Sequence, residues 1–231
     1  MSALTASTWQ ELADAYAFLG NSLLRPMTQT ADVGLDPEFW GAFPAFDSDA
    51  VVDAADALAL WAASLGAGRE QNVTAVSVEY TKLFVGPPSP AAAPWETMYR
   101  GAGVTAGFGE ATREMRAVLR SLGLEAAGPS NQYEDHLGLE LLCLSEMCRR
   151  RAWALEMAQV TREVALRDPS ALGAVTADLS DEAVAAFIAR HPLSWIAALE
   201  ANVEASYPDG YFTRLLVLTR SLLDRHRQLL G

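Results

Sequence analysis

The chain has 231 residues, 51% of them hydrophobic, which suffices for a buried core and excludes a disordered segment. Seventeen basic residues against twenty-nine acidic ones leave a net charge of −12. That balance lacks the basic footprint of a nucleic-acid or membrane-surface binder and favours a cationic partner.

Helical periodicity runs through almost the whole sequence. Trp9, Leu12, Tyr16, Leu19 and Leu23 mark one face of a first helix, opened by a capping box of Ser7 and Gln10 and ended by Pro26. A looser stretch with Pro37 and Pro44 follows. Val51, Ala55, Leu58, Ala62 and Leu65 then repeat the pattern up to Gly66 and Gly68. Val73, Val76, Tyr80, Leu83 and Phe84 give a third face, closed by Gly86-Pro87-Pro88. The four prolines of 86–94 exclude regular helix there.

A further helix is expected over Ala106 to Leu122, stopped by Gly123, with a loop at Ala126 to Ser130. The long helix after it carries Leu137, Leu141, Leu144 and Cys148 on one side. Asp168 to Ser180 reads as a loose connection. Ser180 starts a short helix that ends at His191-Pro192, Leu193 to Tyr207 is helical, and Gly210 to Leu230 closes the chain. The valines show no period-two alternation, so no strand is expected. The expected fold is all-α: one helical bundle of roughly ten helices in a single domain over 1–231, with hinge loops at 86–94 and 126–130.

No uncharged run reaches the ~20 residues of a membrane span. The N-terminus, MSALTASTWQELADAY, has no basic lead-in followed by an apolar block, so a cytoplasmic location without stable membrane insertion is expected. Cys143 and Cys148 stand about 140° apart around their helix and cannot bridge to each other. They are expected to be buried and reduced.

Two polar segments stand out. Glu79 to Tyr99 reads EYTKLFVGPPSPAAAPWETMY, and Asn131 to Glu140 reads NQYEDHLGLE. His136 and Glu140 share a helix face, with Glu134 and Asp135 alongside, which gives one reading as the centre of a small metal-dependent hydrolase. The chain has only three histidines, however, and Asn131-x-x-Glu134 also fits a capping box. No dinucleotide, Walker-type or nucleophile-elbow motif is present. A binding role uses the same residues better. Glu96, Glu134, Asp135 and Glu140 are candidate acceptors for paired guanidinium groups, beside an apolar groove walled by Phe84, Trp95, Met98 and Tyr99.

Together these segments resemble the signatures of the TorD/DmsD family. The residues that carry the resemblance are Tyr80-x-x-Leu83-Phe84, Pro94-Trp95-Glu96-Thr97-Met98-Tyr99 and Glu134-Asp135-His136-Leu137-Gly138-x-Glu140. His191-Pro192-Leu193-x-Trp195 and Tyr211-Phe212 also fit. The resemblance implies an all-helical chaperone, not an enzyme and with no cofactor of its own. Its partners would be the twin-arginine signal peptide and the folding body of a molybdoenzyme catalytic subunit, held until the cofactor is inserted before Tat export. A NarJ-like assembly factor for a membrane-bound nitrate reductase shares the fold and is the alternative. The family's peptide-binding region implies a site at the Trp95 loop and the loop before the Asp135-His136 helix. Gln132 and Tyr133 stand where the family commonly has Glu-Pro, so Tyr133 adds an aromatic to that surface. A monomer or a domain-swapped dimer is expected.

Overall fold

The computed structural model describes residues 4–101, 107–126, 132–167 and 179–231, with 162–167 described through their helical backbone only. Among those residues the fold is all-α, without a strand. The helices are α1 (Ala6–Leu24), α2 (Pro37–Gly41), α3 (Asp49–Ala63), α4 (Arg69–Tyr80), α5 (Glu110–Ser121), α6 (Leu137–Arg167), α7 (Asp181–Arg190), α8 (Pro192–Ser206) and α9 (Tyr211–Leu230). Helix α4 runs on into a wider π turn, Thr81–Val85, and short 3-10 turns sit at Met27–Gln29, Asp32–Leu35 and Glu96–Tyr99. One contiguous apolar core joins α1, α3, α4, α6, α8 and α9 and contains every apolar residue of the first helix face read from the sequence.

Several boundaries differ from the sequence reading for identifiable reasons. Helix α1 is capped by Thr5, whose hydroxyl accepts the Thr8 N–H at 3.1 Å, so Ser7 lies inside the helix rather than at its cap. The stretch read as loose contains α2: Asp36 caps it and Pro37 occupies its first turn, where proline's missing N–H costs nothing. Trp40 of α2 is buried and its indole N–H donates to the Gly34 carbonyl at 2.8 Å. Helix α5 begins at Glu110 rather than Ala106, after Gly109 at its N-cap. The expected connection at 168–180 and the hinge at 126–130 lie mostly outside the described residues. The loop after α4 turns back on it, with Ala91 and Ala92 N–H groups donating to the Lys82 and Leu83 carbonyls.

Helices α1 and α6 are antiparallel and unusually close where Gly20 meets Gly138. A Cβ on Gly138 would lie 2.7 Å from the Gly20 carbonyl oxygen and 2.5 Å from Leu24 Cγ. Farther along, the Ser145 hydroxyl crosses to the Ala13 carbonyl at 2.7 Å. Gly138→Ala must therefore push the helices apart, and it is expected to lower stability by about 1–3 kcal/mol in a denaturant titration. A loss indistinguishable from zero would mean that the contact is not tight.

Helix α9 is fixed at both ends by buried polar groups. At its start the Glu79 carboxyl, on α4, accepts the Tyr211 and Phe212 N–H groups at 3.2 and 2.9 Å. Burial pushes the Glu79 carboxyl up despite those bonds. Near its end His226 is fully buried against Trp9 and Tyr16 of α1, and the Tyr16 hydroxyl shares a hydrogen bond with His226 Nδ1 at 3.1 Å. Both cysteines are buried and free, and burial pushes the Cys143 thiol up to about 12, so neither is a reactive thiolate.

Candidate functional site

The two polar segments picked out in the sequence meet. Glu96 N–H donates to the Asp135 carbonyl and Leu137 N–H donates to the Pro94 carbonyl, both at 2.9 Å, which makes an isolated antiparallel bridge between Trp95 and His136. The bridge decides the fate of every neighbouring side chain, because alternate residues then point to opposite sides.

Asp135 points inward and is fully buried. One of its oxygens accepts the Thr97 N–H at 2.9 Å and the other accepts the Thr112 hydroxyl of α5 at 2.9 Å. Thr112 in turn accepts the Gly109 N–H. One carboxyl thus joins the 96–99 turn, the start of α5 and the start of α6. His136 stands at the N-cap position of α6, where its Nδ1 accepts the Gly138 N–H at 3.0 Å. Burial pushes its pKa down to about 3, so the ring is neutral and its proton sits on Nε2. That capping role replaces the one read for Asn131 and Glu134. Asn131 lies outside the described residues, and Glu134 does something else.

Glu134 makes a bidentate pair with Arg116 of α5, at 2.6 and 3.0 Å. The Arg116 hydrogen bond and charge hold the Glu134 carboxyl below its usual range. Above this pair lies an aromatic surface. Tyr133 and Phe108 are 41% and 44% exposed, with ring centroids 5.7 Å apart, and half-buried Trp95 meets Tyr133 at 6.4 Å and His136 at 6.0 Å. Arg116 lies over the Phe108 ring. Gly107 leaves room for Tyr133, since a Cβ there would fall 3.1 Å from its ring. Trp95 Nε1 and His136 Nε2 are buried and have no hydrogen-bond partner among the described residues.

Glu96 points the other way, into a second buried cluster. Its Oε1 accepts two bonds from Arg100, at 2.8 and 2.6 Å, and Oε2 lies 2.9 Å from His191 Nδ1. Glu140 is beside it and accepts the Trp195 indole N–H at 3.2 Å. Burial raises the Glu96 carboxyl, but the bonds from His191 and Arg100 outweigh it and hold Glu96 low. Burial, and then the charge on Glu96, push the Glu140 carboxyl well up. Of the pair, Glu96 is the ionised member and Glu140 keeps the proton.

The residues proposed from the sequence therefore separate into four groups. Trp95, Tyr133, Glu134 and His136 come together around the aromatic surface. Glu96, Asp135 and Glu140, read as guanidinium acceptors at a surface, are fully buried and bonded within the protein. Among the four carboxylates only Glu134 reaches solvent. Tyr99 packs against Trp195 at 5.2 Å and accepts from Asn202, anchoring its turn to α8, with half-buried Met98 next to it. Phe84 is not a groove wall here. It is buried between Tyr80 and Phe212, because the π turn carries it back onto the apolar face of α4. The sequence reading missed Phe108, Arg116 and His191. A lone aromatic among the glycines of 101–109 was the available sign of Phe108, and the His191-Pro192-Leu193-x-Trp195 match was the sign of His191, whereas nothing local marks Arg116.

The hydrolase grouping does not assemble. Glu134 pairs with Arg116, Asp135 with Thr97 and Thr112, and His136 caps its helix, so these do not converge on one point with Glu140. No described helix is long and apolar enough to cross a membrane. No curated protein matches the sequence. The family model described as nitrate reductase delta subunit matches residues 48–201, about two thirds of the chain, and that span holds both polar segments. The chain belongs to the nitrate reductase delta subunit family, a group of molybdoenzyme assembly chaperones with which its TorD/DmsD-like signatures agree.

Proposed function

We propose that the protein is a chaperone that captures the twin-arginine leader of a molybdoenzyme catalytic subunit on the Trp95–Tyr133–Phe108 surface. The observation that carries this reading is the pairing of exposed aromatics with Glu134, a surface carboxylate already holding a guanidinium. A leader arginine can compete with Arg116 for Glu134, and the displaced Arg116 guanidinium, already partly exposed, passes to solvent, which makes capture reversible. The apolar stretch of the leader packs on Phe108 and Tyr133, with Met98 adapting to its side chains. The unpartnered N–H groups of Trp95 and His136 lie behind that surface with hydrogen-bonding capacity to spare. Release of a matured client calls for micromolar affinity, about −8 kcal/mol. The carboxylates at 96, 135 and 140 shape this surface from beneath and do not contact the leader. The chain acts in the cytoplasm as a single domain.

Calorimetric titration with a twin-arginine leader tests the reading. A peptide with both arginines changed to glutamine is expected to bind about tenfold or more weakly, and Phe108→Ala with Tyr133→Ala to remove saturable binding. Equal binding of both peptides would remove Glu134 from the site. The family description supports a second reading, with a nitrate reductase catalytic subunit as client; on that reading the N-terminal segment captured lacks an exportable twin-arginine leader. Binding of such a segment, with none to a twin-arginine leader, would decide for it.

A further inference from the structure

The second buried cluster has the composition of a metal centre. Glu96 comes from the 3-10 turn after Trp95, Glu140 from the first turn of α6, and His191 from the break between α7 and α8. They offer two carboxylate oxygens and one imidazole nitrogen, all within 4.8 Å of one another. Each residue is at most 2% exposed.

Packing alone does not account for the arrangement. Two outward-facing oxygens are already satisfied: Glu96 Oε1 by Arg100, with Ser194 also donating to it, and Glu140 Oε2 by Trp195. The inner atoms of the cluster are Glu96 Oε2 and His191 Nδ1, which share a hydrogen bond at 2.9 Å, and Glu140 Oε1 beside them. Glu140 Oε1 is buried and receives no hydrogen bond from any described residue. Supporting donors that fix the outer oxygen of a carboxylate while its inner oxygen stays available are what a ligand carboxylate requires.

We propose that Glu96, Glu140 and His191 form a binding site for one divalent transition-metal ion of the zinc type. Imidazole and carboxylate ligands suit such ions, and three protein ligands leave a fourth position open. With metal–ligand bonds of about 2.0–2.2 Å, the ion takes the place of the proton between Glu96 Oε2 and His191 Nδ1, which spread from 2.9 Å, while Glu140 draws in toward them. The ion's two positive charges offset the two carboxylates. Arg100 is balanced separately by Glu114, which also pairs with Arg190. Bound metal would tie the turn carrying Trp95 to the α7–α8 break, setting the aromatic surface from behind.

The chain allows a clean test. All three of its histidines and both cysteines are buried, so no exposed imidazole or thiol competes for the ion. Untagged full-length protein, stripped with chelator, is titrated with Co2+ and followed by its visible d–d absorption, with Zn2+ added afterwards. One Co2+ per chain, displaced by Zn2+, and a raised thermal midpoint are expected. Glu140→Gln keeps an N–H donor toward Glu96, preserves the fold by circular dichroism and is expected to weaken binding at least about tenfold, as is His191→Gln. Glu146→Gln, on an exposed ion pair with Arg149 and Arg150, is expected to bind like the parent. Absence of saturable binding by the folded parent, or an unchanged isotherm in Glu140→Gln, would overturn the assignment. No client peptide enters the titration, so its failure would leave the leader-capture reading intact.

Discussion

Replacing Asp135 with alanine is expected to lower the stability of the protein by about 3–5 kcal/mol, the range for breaking a buried charged or strongly bonded group. The substitution leaves the Thr97 N–H and the Thr112 hydroxyl without their acceptor in a region closed to water. It also releases three segments at once: the 96–99 turn, the start of α5 and the start of α6. Asp135→Asn should cost about half as much. Its amide keeps one acceptor oxygen, and Thr112 can turn its proton toward Thr97 Oγ1, 3.3 Å away. Denaturant titrations of both variants measure the difference from the midpoints at constant slope. A loss below about 1 kcal/mol for alanine would show that the three-way link is dispensable. The expected size has a practical consequence. Loss of leader binding in Asp135→Ala would report a disrupted site and not a lost contact, so Phe108, Tyr133 and Glu134 are the positions that interrogate binding.

His226 is expected to make the protein less stable as pH falls below about 6.5, a contribution separable from those of the other buried groups. Burial pushes His226 down to about 3, against an ordinary value of 6.5. Above pH 6.5 the ring is neutral in both folded and unfolded chains, and its contribution does not change with pH. Between 6.5 and about 3 the unfolded chain takes up a proton that the folded chain refuses, so stability falls as pH falls. The slope is about 1.4 kcal/mol per pH unit for one proton. His226→Gln retains a hydrogen-bonding partner for the Tyr16 hydroxyl and removes the titration. The variant's stability profile should therefore be flatter than the parent's, by about 2–3 kcal/mol summed between pH 6.5 and 4.5. His136, shifted the same way by burial, continues to act in both proteins and cancels from the comparison. Parallel profiles would mean that the His226 ring is hydrated in the folded state. Comparing slopes also removes any pH-independent cost of the substitution itself.

The sequence alone determined the helical class and most element positions. Apolar residues at three- and four-residue spacing can bury together only on a helix, and Pro26, Gly86 to Pro88 and Pro192 interrupt that spacing wherever the chain must turn. Helix starts were less legible at Thr5 and Asp36, because a short polar side chain caps as well one residue as another until the backbone path is known. The two polar segments were also visible, as were Trp95, Tyr133 and Glu134 within them. Their orientation was not. The Trp95–His136 bridge alone turns Asp135 inward as a structural link and Glu96 toward His191, and it leaves Glu134 at the surface with Arg116. His191 lies 95 residues from the carboxylate it meets. Spacing along a helix fixes which residues share a face, but it carries no information about which distant segment that face will meet, and on that pairing depends whether a carboxylate meets solvent, a threonine or a histidine.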